Sequence, residues 1–237
     1  MLDTKEEQQF AELKKLARKL HVPIPEVFLE LEVFDKDGKL IQRHRQRSHS
    51  WVRNAYNMLF CQLAGKDASD DTFGAGKLNI KDTEDTLRYL ARPIGQNYSA
   101  SVDDIAYGYR ASAAEDTWGI LVGYGTDETD PFEYYALENL IADGTTDDGL
   151  HLSYVESEAH AITYADTTLT NTLIRYFNNN EATQSVLVNE VALVVRAYVA
   201  GSAFLWLNSR DVLASTVTVP VTGQLKVTYT ISLTYAA

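Results

Sequence analysis

The spacing of apolar residues changes along the chain and predicts a helical start followed by a mainly β body. In residues 5–20, apolar side chains recur at helical spacing on an otherwise charged segment. Thr4 and Glu7 are spaced as a capping box, and the prolines of HVPIP end the helix. The stripe consists of Phe10, Leu13, Leu16, Ala17 and Leu20. We expect residues 1–25 to form an amphipathic helical arm that packs on its own domain or on a neighbouring subunit.

Residues 26–47 predict a β-hairpin. Apolar and polar side chains alternate along VFLELEVF, DKDGK supplies a turn, and LIQRHRQR returns. On the return strand the arginines share one side and the residues between them share the other. The arginines are Arg43, Arg45 and Arg47, and the residues between them are Gln42, His44 and Gln46. Neither side is apolar, so we expect an exposed edge or a strand facing acidic partners, with Glu30 and Glu32 as cross-strand partners.

A second helix is predicted over residues 49–64, in SHSWVRNAYNMLFCQLAG, and Gly65 ends it. Its buried stripe is expected to consist of Trp51, Ala55, Met58, Leu59 and Leu63. Residues 66–117 are rich in Asp, Ser and Gly and have weak periodicity, which predicts an irregular, outward-facing insertion.

From residue 118 onward the pattern is that of β-strands. WGILVGYGT predicts a buried strand, and residues 168–177 and 185–199 predict long strands joined by the turn NNNEAT. In LKVTYTISL, apolar positions alternate with polar ones, as in a sheet with one wet face. We therefore predict a mainly β protein. It is an antiparallel β-sandwich over residues 26–237, with one packed α-helix, a β-hairpin and the N-terminal arm.

Composition fits this fold and bounds the function. The chain has 237 residues, of which 45% are hydrophobic and 23% charged, as in a globular protein rather than a disordered one. A single cysteine, Cys61, rules out a disulfide within the chain. MLDTKEEQQF has no features of a secretory signal, and we find no run of about 18 apolar residues, so no membrane contact is expected.

Charge is unevenly distributed. The net charge is -12, but residues 1–66 hold 12 Lys+Arg against 9 Asp+Glu, while the remainder holds 9 against 24. An acidic body argues against wrapping nucleic acid. The basic stretch LIQRHRQRSHSW lacks a glycine-rich loop or aromatic platform, so we expect it to form charge pairs rather than direct nucleic-acid contacts.

Candidate chemistry is sparse. His44 and His49 match no zinc spacing, and the acidic loops DASDD, TDETD and DGTTDDG suit turns better than an EF-hand, although a bound cation remains an alternative. No familiar nucleophile motif is present. His151 and His160 near Glu156 and Glu158 are the nearest approach to a hydrolytic site. We expect no enzyme activity, no cofactor and no metal.

Several segments together resemble structural proteins of tailed bacteriophages. They are SHSWVRNAYNMLF, WGILVGYGT, YALENLI, TLIRYFNNNEATQSVLVNEVALVV and LNSRDVLASTVTVPVTGQLKVTYTISL, and they cover roughly residues 40–64 and 118–235. In such proteins a long hairpin with an Asn-rich turn precedes the closing strands. The resemblance implies a virion component made in the host cytoplasm and names no active site.

The resemblance leads to one functional expectation and one alternative. We expect many copies to assemble with each other and with other virion proteins, as a tail or head–tail connecting protein or a capsid decoration protein. The expected contact residues are Phe10, Leu13, Leu16, Leu20, Arg43, Arg45 and Arg47. The alternative is a glycan- or receptor-binding module that uses loop tyrosines and carboxylates.

Overall fold

The computed structural model describes residues 4–48, 51–64, 80–87, 108–199 and 202–235. Within these ranges the protein is mainly β, with mixed and antiparallel sheets that do not close into a barrel. The helices are α1 (Thr4–Leu20) and α2 (Arg53–Ala64). The strands are β1 (Ile24–Phe34), β2 (Leu40–Arg47), β3 (Gly119–Gly123), β4 (Ala142–Asp143), β5 (His151–Tyr154), β6 (Ala161–Ala165), β7 (Thr168–Asn178), β8 (Val186–Val199), β9 (Ser202–Val219) and β10 (Gln224–Thr234).

The strands form a larger and a smaller sheet. The larger sheet has the order β2-β1-β10-β7-β5-β4, and β6 also pairs with β7. The smaller sheet has the order β3-β8-β9. The predicted hairpin is confirmed as β1 and β2, with Gly38 at φ 76° in the turn between them.

One hydrophobic core contains side chains from both sheets. Every second residue of β1 is buried, because successive side chains of a strand point to opposite faces. The predicted alternation of β10 is confirmed, since Leu225, Val227 and Tyr229 are fully buried. The smaller sheet supplies Ile120, Val191, Leu193, Val217 and Val219 to the same core. In β8, residues on both faces are buried, including the charged Glu190.

The long strands on either side of NNNEAT do not form the expected hairpin. β7 pairs with β10, β5 and β6, whereas β8 belongs to the other sheet. Residues 179–185 therefore carry the chain from one sheet to the other. The buried Asn179 side chain fixes this passage, because its amide donates to the carbonyl oxygens of Gln184 and Val219 at 2.9 and 3.0 Å.

The bounds of the arm and the buried stripe of α2 differ in detail from the expectation. β1 begins at Ile24, so the arm is shorter than residues 1–25. On α2, Met58 is buried but Leu59 is exposed, and the side chains of Cys61 and Leu63 lie outside the described residues.

The region expected to be an outward-facing insertion, residues 66–117, is described only at 80–87 and 108–117. There the expectation is wrong in part. Ile80 packs in a small cluster with Met58 and Trp206, and Ala111 belongs to the main core.

Candidate functional site

Arg47 joins the arm to the larger sheet. Its side chain is only 4% exposed, and its guanidinium lies 4.0 Å from the ring centroid of Phe10 on α1 and 4.6 Å from that of Phe28 on β1. It donates hydrogen bonds to Glu7 of α1, at 2.8 Å, and to Glu26 of β1. A guanidinium held between two rings and two carboxylates suits Arg rather than Lys, because its planar fork stacks and donates at the same time.

Glu26 completes this junction. It accepts a hydrogen bond from Lys14 of α1 at 2.6 Å as well as one from Arg47. Burial favours the neutral acid, but the hydrogen bonds and charges of Arg47 and Lys14 outweigh burial and lower the pKa of Glu26. The carboxylate is therefore ionised at neutral pH and ties the arm to the sheet.

The apolar stripe of the arm is divided by this docking. Ala17 is buried and Phe10 is half-buried. The three leucines of the stripe remain in solvent, with Leu13 46%, Leu16 53% and Leu20 62% exposed. The helix thus docks through charged and aromatic groups and leaves apolar surface uncovered by its own chain.

The other two predicted contact arginines also touch their own chain. Arg43 forms an ion pair with Glu30 and lies 3.8 Å from Glu32, which confirms the expected cross-strand pairing. The guanidinium of Arg45 lies 4.2 Å from the ring centroid of Phe28. Arg43 is more than half exposed, so it remains accessible to a second molecule. Contact with a neighbouring copy stays a prediction for all three arginines.

The opposite side of β2 closes the free edge of β9. The side-chain amides of Gln42 and Gln46 each donate to one β9 carbonyl and accept from one β9 amide, at 2.9–3.1 Å. The β9 groups are those of Val212, Ala214, Thr216 and Thr218. His44 contributes a hydrogen bond to the Ser215 hydroxyl at 3.2 Å. The two glutamines therefore satisfy β9 backbone groups that a neighbouring strand would otherwise bind. The sequence pattern alone did not reveal this role.

A buried ion pair holds the loop after β3. The fully buried carboxylate of Glu190 accepts from Arg210 Nε at 2.5 Å. It also accepts from the backbone amides of Gly125, Glu138 and Asn139. Arg210 donates to the carbonyl of Asp127 at 2.8 Å and lies 4.0 Å from the ring centroid of Tyr134. The acid that pairs with Arg210 is Glu190 on β8.

Arg175 is a second buried cation, and its hydrogen-bond partners are backbone carbonyls. Its guanidinium donates at 2.6–3.2 Å to five of them. They belong to Ser112, Glu115, Trp118, Ile120 and Val155. Burial lowers the pKa of Arg175 to about 10, so the group remains cationic at neutral pH. The sequence signal is a lone arginine between Leu173 and Phe177, on the apolar side of a strand.

A third buried polar cluster surrounds Asp211. One carboxylate oxygen accepts from the hydroxyls of Ser48, Ser209 and Tyr229 at 2.8, 3.1 and 3.0 Å. Burial and the adjacent carboxylate raise the pKa of Tyr229, so this phenol stays neutral and donates. The three clusters fix loops and strands inside the protein and present no reacting group to solvent.

The acidic loops behave mainly as turns. Asp147 accepts from Thr183 and Gln184, and Asp148 accepts from the Leu150 amide at 2.9 Å. Within the described residues, Asp148, His151 and Glu181 have ligand atoms within 4.8 Å of one another. Glu181 already accepts from two backbone amides and Asp148 from the imidazole of His151. The loop DASDD and His49 lie outside the described residues.

The residues weighed for hydrolysis contact other groups. Glu156 and Glu158 follow β5, and Glu156 pairs with Arg110 at 3.2 Å. His151 instead contacts Asp148 at 2.9 Å.

An open groove of about 480 Å³ lies at the turn end of the larger sheet. Its lining includes Phe34, Tyr176, Asn178, Asn180, Gln224 and Lys226. These side chains combine aromatic faces with amide donors and acceptors, which is the chemistry expected of the glycan-binding alternative.

Comparison with models of protein families, with curated proteins and with solved structures finds no match to this chain. Neither described helix is long and apolar enough to cross a membrane.

Proposed function

We propose that this chain is a structural component of a tailed-phage particle and assembles in multiple copies. The observation that carries the proposal is the arm, a helix held by ionic and aromatic contacts whose leucines face solvent. An isolated exposed leucine is ordinary, but three on one stripe of a terminal helix are typical of an association surface. A tail or head–tail connecting component is favoured, and a capsid decoration protein is the second assignment.

The proposed body of this component is an antiparallel β-sandwich built from the two sheets. The shared core supports this architecture, because buried side chains of β1 and β10 belong to the same cluster as those of β3 and β8. The glutamine bridges from β2 to β9 support it as well, since they join an edge of one sheet to an edge of the other.

The neighbouring copy is proposed to cover Leu13, Leu16 and Leu20. Fully burying an exposed leucine side chain contributes about 1.5–3 kcal/mol, so covering these three half-exposed leucines supplies part of the free energy of a specific contact. Charge favours the same arrangement, because α1 carries five Lys+Arg and three Asp+Glu while residues 67–237 are strongly acidic. Arg45 on β2 adds a positive charge, whereas the charge of Arg43 is paired with Glu30. This contact is head-to-tail, with different surfaces meeting on the two copies.

Replacing Leu13, Leu16 and Leu20 together with serine tests the proposal. The three side chains are exposed, so the free energy of unfolding of the single chain should change little, while the self-association constant should fall at least about tenfold. Sedimentation velocity over a range of concentrations measures the association. The matched control replaces Leu40 and Leu187, which are also exposed, with serine. Unchanged association of the leucine variant would contradict the proposal.

A second candidate function is glycan or receptor binding, which the groove between β1, β7 and β10 favours. Removing residues 1–21, which end before β1, distinguishes the two functions. The truncated chain should lose assembly if the arm carries the function. It should keep its binding on an array of immobilised oligosaccharides if the groove does, and Tyr176→Ala in the groove should then abolish that binding.

A further inference from the structure

β6 is an edge strand with features that edge strands usually avoid. It pairs with β7 on one side, and no strand among the described residues pairs with its other side. All five of its residues are exposed. Its sequence, Ala-Ile-Thr-Tyr-Ala, contains no charge, proline or glycine. An uncharged edge with free backbone groups is a template for pairing with another chain.

The edges of β2 and β9 contrast with that of β6. Edge strand β2 carries arginines at alternate positions, which resist pairing with a second sheet. The edge of β9 is filled by the side chains of Gln42 and Gln46. The edges of β2 and β9 are therefore protected by charge or by side-chain amides, whereas that of β6 has neither kind of protection.

Apolar surface lies beside this edge. Ile162 and Tyr164 are both 66% exposed. The register places Tyr164 of β6 opposite Leu169 of β7, and Leu169 opposite Leu233 of β10. These three side chains lie on the same face of the sheet as the core residues of β7 and β10. Tyr235 adds its ring 6.3 Å from that of Tyr164. The core-facing side of the larger sheet therefore continues into an apolar patch that the smaller sheet does not cover.

We propose that β6 pairs antiparallel with β6 of a second copy about a two-fold axis at Thr163. The segment reads almost the same in both directions, so this register sets Ala161 opposite Ala165 and Ile162 opposite Tyr164 of the second copy. A β-branched residue opposite an aromatic one is a favourable cross-strand pair, and the register occurs twice by symmetry. The larger sheets of the two copies then form one continuous sheet.

This contact rests on the proposed self-assembly but uses a surface different from the arm. It is isologous, with the same strand on both copies, whereas the arm contact is head-to-tail. A chain with one contact of each kind links copies into pairs through β6 and links pairs to each other through the arm.

A cysteine cross-link tests the register directly. With Cys61→Ser as background, Thr163→Cys places two thiols opposite each other at the axis, at the Cβ separation of about 4.5–5.5 Å expected for directly opposed residues and near that needed for a disulfide. Mild oxidation should convert most of the protein to a covalent dimer. The control is Thr170→Cys on β7, which lies beside Thr163 but one strand away from the proposed interface. The two Thr170 positions would be three strand spacings apart, about 14 Å, so this variant should stay monomeric on a denaturing gel. Equal cross-linking of both variants would overturn the register.

Tyr164→Lys supplies the second test, because a lysine on an exposed edge blocks strand pairing. The expected result is a loss of the β6 dimer, with at least about tenfold weaker association by sedimentation velocity. Leu187→Lys, another exposed apolar position, is the control. If Tyr164→Lys associates like the wild type while the arm serine variant does not, the β6 contact is overturned and the arm proposal stands. If only the β6 variant dissociates, the arm proposal fails instead, and a wild-type chain that is monomeric at all concentrations overturns both.

Discussion

At the residue scale, the protein depends on buried charges whose hydrogen bonds are satisfied by backbone. Glu190 accepts from three amides and Arg210, and Arg175 donates to five carbonyls. The sequence shows Arg175 between the apolar Leu173 and Phe177 of β7, and Arg210 next to Asp211. It did not reveal the partners, because they come from loops whose path depends on the completed fold. A buried charge is stable only in such a prepared setting.

Glu190→Gln tests that dependence. The amide keeps the shape of the carboxylate but removes the charge opposite Arg210 and turns an NH₂ group toward backbone donors. We expect the free energy of unfolding to fall by about 3–5 kcal/mol, the usual cost of breaking a buried pair. Urea denaturation measures the change.

The control is Glu133→Gln, whose partner Arg53 is at the surface, and it should cost less than about 1 kcal/mol. Equal losses of the free energy of unfolding in the two variants would show that the buried pair stabilises the protein no more than the surface pair does.

At the element scale, strand identity was predictable, whereas of the strand pairings only the β1–β2 hairpin was. The alternation of apolar and polar residues predicted the buried sides of β1 and β10 correctly, because the side chains of a strand point to alternate faces and this pattern is local in sequence. The turn at NNNEAT was also a local signal, but whether its flanking strands pair depends on residues far away in sequence. α1 illustrates the same limit, since one stripe at helical spacing was compatible with burial on either its own or another chain. Docking through Arg47 divided the stripe instead.

Acid should release the arm. Because the pKa of Glu26 is lowered in the folded chain, its contribution is present above the ordinary value of 4.5 and is lost as the pH falls through the lowered value. Hydrogen exchange of residues 5–20, corrected for the intrinsic effect of pH, should therefore speed up at low pH.

Glu26→Gln should produce much of that effect at pH 7. We expect a loss of about 1 kcal/mol, or roughly fivefold faster exchange, because Lys14 is partly in water and its pair is screened. Glu12→Gln, an exposed position on the same helix, is the control. Arm protection that is constant from pH 7 to pH 3 would contradict the role of Glu26.

At the scale of the whole molecule, the two proposed association surfaces lie at one end of the larger sheet. Ile24 of β1, Thr234 of β10, Thr168 of β7 and Ala165 of β6 lie side by side across the sheet. The arm therefore joins β1 at the same end of the sheet at which β6 ends. The groove lined by Phe34 and Gln224 lies at the other end. In this arrangement the proposed contacts between copies lie at one end and the groove lies at the other. The whole chain carries a net charge of -12, which favours the solubility of free copies.

The central claim is that the chain is part of a phage particle, and immunogold electron microscopy of particles from its source tests it most directly. An antibody against this chain should label the particles at regular positions, with the tail or the head–tail junction favoured. Label spread over the head would keep the virion role and assign the chain to capsid decoration. Particles without label, in a lysate where the chain is abundant, would contradict the proposal and favour a free binding protein.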